Sequence, residues 1–351
     1  MRRFNRINRI RKGLTSAFRK KLPEIPPAFI DKPEEVKQVL LIRPNHRLGN
    51  QLMVTPLVQE VATTFPNARI DLFLKGNAGV IIFKNFNSVD RILKLPRKHF
   101  KELIHYFISF WCLKNREYDL VVNISIGSSS GKLATHHARS KIKLSNEDIT
   151  NNIINKYPDA RHMAKSPVYR LRAALKGDIN NLDEKPIPNL SLALTDDELT
   201  KAKEIIEQKI RNHKKVISLF THATGGKKLS KEWWHAFYDR LGQEFPDYDV
   251  LEILPVENIS SIDFRAPSYY GKDIRMISAV IEQTDLFVGT DSGIMHLAAT
   301  SKTPCIGLFS VSRPEVYAPY SKDSFAVQVQ NANIDELMLK VHTSLSNSRK
   351  C

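Results

Sequence analysis

Asp285-Leu-Phe-Val-Gly-Thr-Asp-Ser-Gly-Ile-Met-His-Leu-Ala-Ala299 is the stretch on which the reading of the fold turns. It opens as a short apolar run of strand-forming residues, passes through a small polar turn at 290–293, and continues as an apolar helix. Strand, tight turn and helix make the first half of a βαβ unit, the building block of a parallel sheet flanked by helices. In an open sheet of that kind ligands settle outside the carboxyl ends of the strands, which is where this turn has to lie. Free N–H groups at the start of the helix favour phosphate oxygens, Gly289 and Gly293 are expected to allow close approach, and His296 can reach back from the first helical turn. Asp291 is anionic, so it is assigned to the turn or to accepting hydrogen bonds from ligand hydroxyls. The same residues also read as an ordinary helix cap by Asp291 or Ser292, with His296 on the helix surface.

Outward from this stretch, the chain alternates β-rich runs with amphipathic ones from residue 37 onward. In the first half the pattern predicts strands over 38–43, 69–74, 91–94, 120–124 and 141–144, with helices over 51–65, 78–83, 100–114 and 131–138. Residues 150–189 lose this rhythm and collect Pro158, Pro167, Gly177, Pro186 and Pro188, with a helix over 169–175. A second series then begins with a helix over 196–211. Its strands are predicted over 216–220, 250–254, 286–289, 305–309 and 325–329, with helices over 231–245, 274–283 and 294–300. The expectation is an α/β fold in three parts: a basic tail and Pro-rich linker over 1–36, a Rossmann-like lobe over 37–185, and a second over 186–351. There is no fixed-period repeat.

A length of 351 residues with 42% hydrophobic content suffices for two such cores. The net charge of +16 suggests a polyanionic partner: nucleic acid, anionic lipid or a phosphorylated substrate. Cys112, Cys305 and Cys351 lie far apart, which indicates neither a zinc cluster nor a disulfide framework and fits a reducing compartment. The most apolar stretches, 106–113 and 287–309, are too short or too interrupted to span a bilayer, which takes about 20 apolar residues. At the N-terminus Phe4, Ile7, Ile10, Leu14 and Phe18 recur at helical steps among arginines and lysines, with no acidic residue before Glu24. Such a helix suits an anionic membrane surface, though the stretch reads equally well as a frayed basic tail. It lacks the long apolar region of a secretory signal and is not expected to be cleaved.

Two further turns carry chemistry. Thr221-His-Ala-Thr-Gly-Gly-Lys-Lys-Leu-Ser-Lys-Glu-Trp-Trp234 again follows an apolar strand and precedes a helix. The hydroxyls of Thr221 and Thr224, with Lys227, Lys228 or Lys231, can neutralise charge on a leaving diphosphate, a role a metal would otherwise take. The alternative is a flexible basic loop capped by Ser230, with Trp233 and Trp234 packed into the core. The third turn, Ile42-Arg-Pro-Asn-His-Arg-Leu-Gly-Asn-Gln-Leu-Met-Val-Thr-Pro56, joins the first strand to the first helix. Its single glycine lacks the Gly-x-Gly-x-x-Gly spacing and argues against a nicotinamide enzyme. Pro56 is expected to bend that helix.

Taken together and in this order, the three motifs resemble the lipopolysaccharide heptosyltransferase family, glycosyltransferase family 9, across residues 37 to 345. The resemblance implies a GT-B fold with two Rossmann-like lobes facing a central cleft. It also implies an inverting, metal-independent transferase without a cofactor, acting at the cytoplasmic face of the bacterial inner membrane as a peripheral protein. The expected partners are a nucleotide sugar such as ADP-heptose, a phosphorylated lipid-linked saccharide acceptor of the lipid A–core type and the anionic membrane surface, with no specific nucleic acid. Carried over by position, Thr224, Lys231, Glu257, Thr290, Asp291, Ser292, Gly293 and His296 bind the donor. Arg47, Gly49 and Asn50 face the acceptor, and Asn50, His46 and Lys231 form the catalytic set. The sequence departs from the family at Asn50, where an aspartate usually serves as the base. An amide does not accept a proton usefully at neutral pH. Either His46 takes the proton while Asn50 orients the acceptor, or the chain is a non-catalytic module that binds nucleotide sugar or glycan.

Overall fold

The structure, a computed structural model, describes residues 29–97, 102–145, 151–176, 182, 185–210, 215–329 and 334–348. Of the basic tail and Pro-rich linker expected over 1–36, residues 1–28, and with them the amphipathic pattern suited to a membrane surface, lie outside the described residues. By internal contacts the chain falls into two compact units. One holds the described residues up to His46, Pro56–Val80 and Phe86–Pro188; the other holds Arg47–Thr55, Ile81–Asn85 and the residues from Asn189 onward.

The strands of the first unit are β1 (Gln38–Arg43), β2 (Arg69–Lys75), β3 (Val89–Leu95), β4 (Glu117–Asn123) and β5 (Arg139–Ser145), in the order β3-β2-β1-β4-β5 and all parallel. Each expected strand is present: β1 has the bounds expected, β2, β3 and β5 extend one to three residues further, and β4 starts three residues earlier and ends one earlier. Helices along this half of the chain are α1 (Leu48–Leu52), α2 (Thr55–Thr64), α3 (Ala78–Ile82), α4 (Leu103–Cys112), α5 (Ser129–His137), α6 (Asn151–Lys156) and α7 (Ser166–Lys176). Strands buried on both faces read as apolar runs, and Val39 to Ile42 have no exposed surface. The exception is Asp71 on β2, fully buried but held by Arg91 at 2.5 Å, Arg116 at 3.1 Å and the Tyr118 hydroxyl at 2.7 Å. A buried carboxylate is tolerated only with such partners.

One expectation needs correction. The helix predicted over 51–65 is two helices, broken at Met53 and Val54. Pro56 is the second residue of α2, where its missing N–H is one that a helix start leaves unpaired in any case. The Thr55 hydroxyl donates to the Leu52 carbonyl at 2.8 Å. Proline therefore starts a helix here instead of bending one.

The second unit contains α8 (Asp196–Lys209), β6 (Lys215–Phe220), α9 (Lys231–Glu244), β7 (Tyr248–Ile253), β8 (Ser268–Tyr269), α10 (Ile274–Glu282), β9 (Leu286–Thr290), α11 (Gly293–Ala298), β10 (Cys305–Phe309), α12 (Pro314–Tyr317), β11 (Phe325–Gln328) and α13 (Ile334–Ser348). Its parallel sheet has the order β11-β10-β9-β6-β7-β8. Trp234, Phe237 and Leu241 of α9 and Leu337 and Val341 of α13 pack onto Ile217, Leu219, Leu286, Val288 and Ile306. The expected elements did not include α13, the short α12 or the edge strand β8.

Arg275 binds the outlying pieces of this unit. Only 3% exposed, it bonds the Glu198 carboxylate at 2.6 and 2.8 Å, the carbonyls of Leu192 and Ala193 at 2.8 and 3.1 Å, and the Ile81 carbonyl at 3.4 Å. Asn85 adds a bond to the Ala193 carbonyl at 2.8 Å. Glu198 also completes a capping box with Thr195 at the start of α8.

Candidate functional site

The sheet of the second unit changes direction at β6, which pairs with β7 on one side and β9 on the other. Crevices form at such a switch point, beyond the carboxyl ends of the two diverging strands. Phe220 stands beside Gly289 in the register, so the chain leaves both strands together. The turn after β6 carries Thr221 to Ser230, and the turn after β9 carries Asp291 and Ser292. Two motifs far apart in sequence thus share one sheet edge. The Thr290 hydroxyl joins them by donating to the His222 carbonyl at 2.8 Å.

Asp291 is 3% exposed, and its carboxylate takes the Lys227 ammonium at 2.5 Å. This pairing is absent from the sequence-based reading, which assigned Asp291 to the turn or to ligand hydroxyls. Ser292 caps α11 by accepting from the Met295 N–H at 3.2 Å. His296 is buried, not on the helix surface: its Nε2 lies 3.9 Å from an Asp291 carboxylate oxygen and its ring is edge-on to Tyr317 at 6.4 Å.

The glycines also have packing tasks. A Cβ on Gly289 would lie 2.7 Å from the Phe287 ring, so this residue is small for the sake of sheet packing. A Cβ on Gly293 would meet the Leu48 side chain at 3.3 Å, and one on Gly49 would collide with the His296 imidazole. The helix Leu48–Leu52 therefore belongs to the second unit because it packs on α11. Gly49 and half-buried Asn50 come to the same place as Gly293 and His296.

The remaining candidates are spread more widely. Arg47 and His46 are exposed; the Cβ of His46, in the first unit, lies 3.9 Å from where a Cβ on Gly76 would stand. Thr224 is exposed and precedes a single turn of 3-10 helix at Gly225–Lys227. Lys231, at the start of α9, is paired with Asp263 on the surface. Glu257 is exposed in the loop after β7.

Sequence reasoning missed Glu252, the carboxylate at the centre of this loop system. It is fully buried on β7, accepts the Thr221 hydroxyl at 2.7 Å and the Ser260 hydroxyl at 2.6 Å, and thereby ties the turn after β6 to the loop after β7. Burial pushes its carboxyl above the usual range, partly offset by those two hydroxyls. The signal was legible: a lone carboxylate inside the apolar run Val250-Leu-Glu-Ile253. Asp247 and Asp249 form an Asp-x-Asp pair, but they stand at the start of β7, the opposite end of the strands from these turns. Among the described residues, no three His, Cys, Asp or Glu side chains come together as a metal-ligand set.

Two parallel sheets of this topology define an α/β protein of the GT-B type. The glycosyl transferase family 9 structure from Veillonella parvula superposes with a TM-score of 0.71 at 13% identity, covering 90% of this chain and 99% of that one. The E. coli ADP-heptose lipopolysaccharide heptosyltransferase II follows the same fold with a TM-score of 0.65 at 15% identity, covering 89% and 99%. Residues 272–342, which include α11, match the model of glycosyltransferase family 9 (heptosyltransferase), so this segment is similar to that family. The lipopolysaccharide core heptosyltransferase OpsX of Haemophilus influenzae is 36% identical over 85 residues, which is 24% of this chain and 24% of that relative. The match thus spans about a quarter of the relative's length.

Proposed function

We propose that the chain transfers a sugar from a nucleoside diphosphate to a lipid-linked saccharide, with a heptose of the ADP-heptose type as donor and a phosphorylated lipopolysaccharide core as acceptor. One observation carries this reading: at the switch point of a parallel sheet, a capped helix start, Asp291 and a buried histidine from the segment that matches the family meet Lys227 from the turn after β6. Helix N–H groups at such a point suit a diphosphate. The E. coli relative crystallised with ADP shares the fold at a TM-score of 0.63 and 13% identity, which supports a nucleotide here.

In the proposed reaction the acceptor oxygen attacks the anomeric carbon from the face opposite the leaving group, so that configuration inverts. The bond from that carbon to the diphosphate oxygen breaks, and the nucleoside diphosphate leaves with both electrons. Backbone amides of α11, Thr224 and the ammonium groups of Lys227 and Lys231 offset the negative charge gathering there, in place of a metal. The hydroxyl proton goes to a base. Asn50 cannot take it, and His46, four residues earlier in the sequence, is the group assigned to it. Ser292, Thr290 and Glu257 complete the donor set, and Arg47 and Gly49 line the acceptor side. This work is placed on the cytoplasmic face of the membrane, where lipid-linked acceptors are held.

Titration calorimetry with ADP and ADP-heptose tests the donor assignment. Binding of both at micromolar to sub-millimolar concentration is expected, and the absence of heat at millimolar ligand overturns it. Asn50 favours a second reading, a binding module that holds nucleotide sugar without transfer. Product formation with any acceptor, in buffer containing a chelator, ends that alternative.

A further inference from the structure

The helix α4 has two apolar faces, and the fold uses only one. Tyr106, Phe110 and Leu113 turn inward onto Leu40, Phe73 and Leu95 of the first sheet. Ile104, Phe107, Ile108 and Trp111, at steps of three, one and three, form the opposite face, with exposures of 75%, 69%, 50% and 71%. Isolated exposed apolar residues are ordinary; four large ones on one face of one helix are not.

Charge identifies what covers this face. Between Lys94 and Arg116 the sequence carries Lys94, Arg97, Lys98, Lys101, Lys114 and Arg116 against one acidic residue, Glu102. Lys94, Arg97 and Lys114 are exposed around the ends of the helix. Such a border repels the equally basic N-terminal stretch 1–21 and the same face of a second copy. It attracts an anionic surface. A polyanion alone leaves the four apolar side chains in water, whereas an anionic bilayer receives them at the acyl boundary and the cations at its headgroups. A tryptophan at the edge of the patch fits that boundary.

We infer that α4 is a membrane-docking surface for anionic phospholipid, through Ile104, Phe107, Ile108 and Trp111 with Arg97 and Lys114 beside them. This deepens the proposed function by assigning the membrane contact to a folded element of the first unit. The contact does not depend on the donor site, so the two can fail separately.

The test is flotation of the full chain with vesicles of phosphatidylglycerol and phosphatidylethanolamine in equal parts, beside vesicles of phosphatidylcholine. The parent chain is expected to float with the first and not the second, and F107S/W111S to lower partitioning about tenfold or more, equivalent to about 1.4 kcal/mol. Both side chains are mostly exposed, so ADP affinity and Tm stay at parent values; I104Q/I108Q repeats the test with other residues. Quenching of tryptophan emission by brominated phosphatidylglycerol should fall in W111F, since Trp234 is buried in the second unit's core and Trp233 is half-buried against it. Equal flotation of parent and both double variants overturns the inference. So does a parent dimer in sedimentation velocity that F107S/W111S dissociates, because the face is then an interface between copies. If ADP binding fails while the flotation result holds, only the donor assignment is lost.

Discussion

Gly49 lies against the imidazole of His296 with no space for a methyl group between them. The contact places the turn that carries Asn50 on the helix that begins at Gly293, and it sets the position of a buried histidine within 3.9 Å of Asp291. A glycine that stands alone as a weak dinucleotide signal thus also meets a packing requirement of the candidate site.

Gly49→Ala should therefore displace α1 or rotate His296. The expected cost is about 1–3 kcal/mol of stability, as for overpacking elsewhere, with a drop in ADP affinity of about tenfold. Thermal unfolding and calorimetry measure both. An unchanged Tm together with unchanged ADP affinity removes the packing argument.

Lys227→Met leaves the Asp291 carboxylate buried without its cation, and a loss of about 1–3 kcal/mol is expected, at the lower end because the lysine is one-third exposed. Adding Asp291→Asn should restore part of that loss, since the orphaned charge disappears. A double-mutant cycle in urea gives the coupling energy. Additive effects would mean that the pair contributes nothing.

Glu198 provides a pH signature for the second unit. The Arg275 guanidinium holds its carboxyl down at about 2, helped by the Thr195 N–H, against an ordinary value near 4.3. Because the folded value is depressed, this stabilisation is fully present above about pH 4.3 and is lost as pH falls through about 2. Glu198→Gln should lower Tm at pH 6, and the gap between parent and variant should close on acidification towards pH 2. A gap that does not change between pH 6 and pH 2.5 contradicts the pairing.

At the candidate base, Asn50→Asp should raise turnover by about a hundredfold, within the range that a positioned general base provides. His46→Ala should lower whatever turnover the parent has by a similar factor. Release of nucleoside diphosphate from the donor follows both. If the aspartate variant is no faster and the alanine variant no slower, neither residue serves as the base.

Much of the fold was legible before any coordinates. Parallel strands buried on both faces are mostly apolar, so the runs at 39–42 and 305–309 announce themselves by composition, and the strands before the three motifs locate the sheet edges. Turn chemistry is equally local, as at Ser230 and Ser292, whose hydroxyls cap the helices that follow them. The misreadings arose where context outweighed pattern. Pro56 has one meaning inside a helix and another at its start, and the apolar spacing alone does not say which. The helix Ile334–Ser348 carries a local signal as well, since Ile334, Leu337, Met338, Val341 and Leu345 recur at helical spacing and are the residues that cover the sheet.

Returning to the stretch from Asp285 to Ala299, sequence by itself determined a strand, a turn and a capped helix, since each depends on neighbours a few residues away. Only the tertiary structure decided what surrounds that turn: Lys227 on Asp291, Gly49 against His296, and Glu252 beneath Thr221 and Ser260. Those partners come from segments far apart in the chain. They meet because the order of strands brings β6, β7 and β9 together at one edge, and a charge or a missing side chain acquires its role from what is packed beside it.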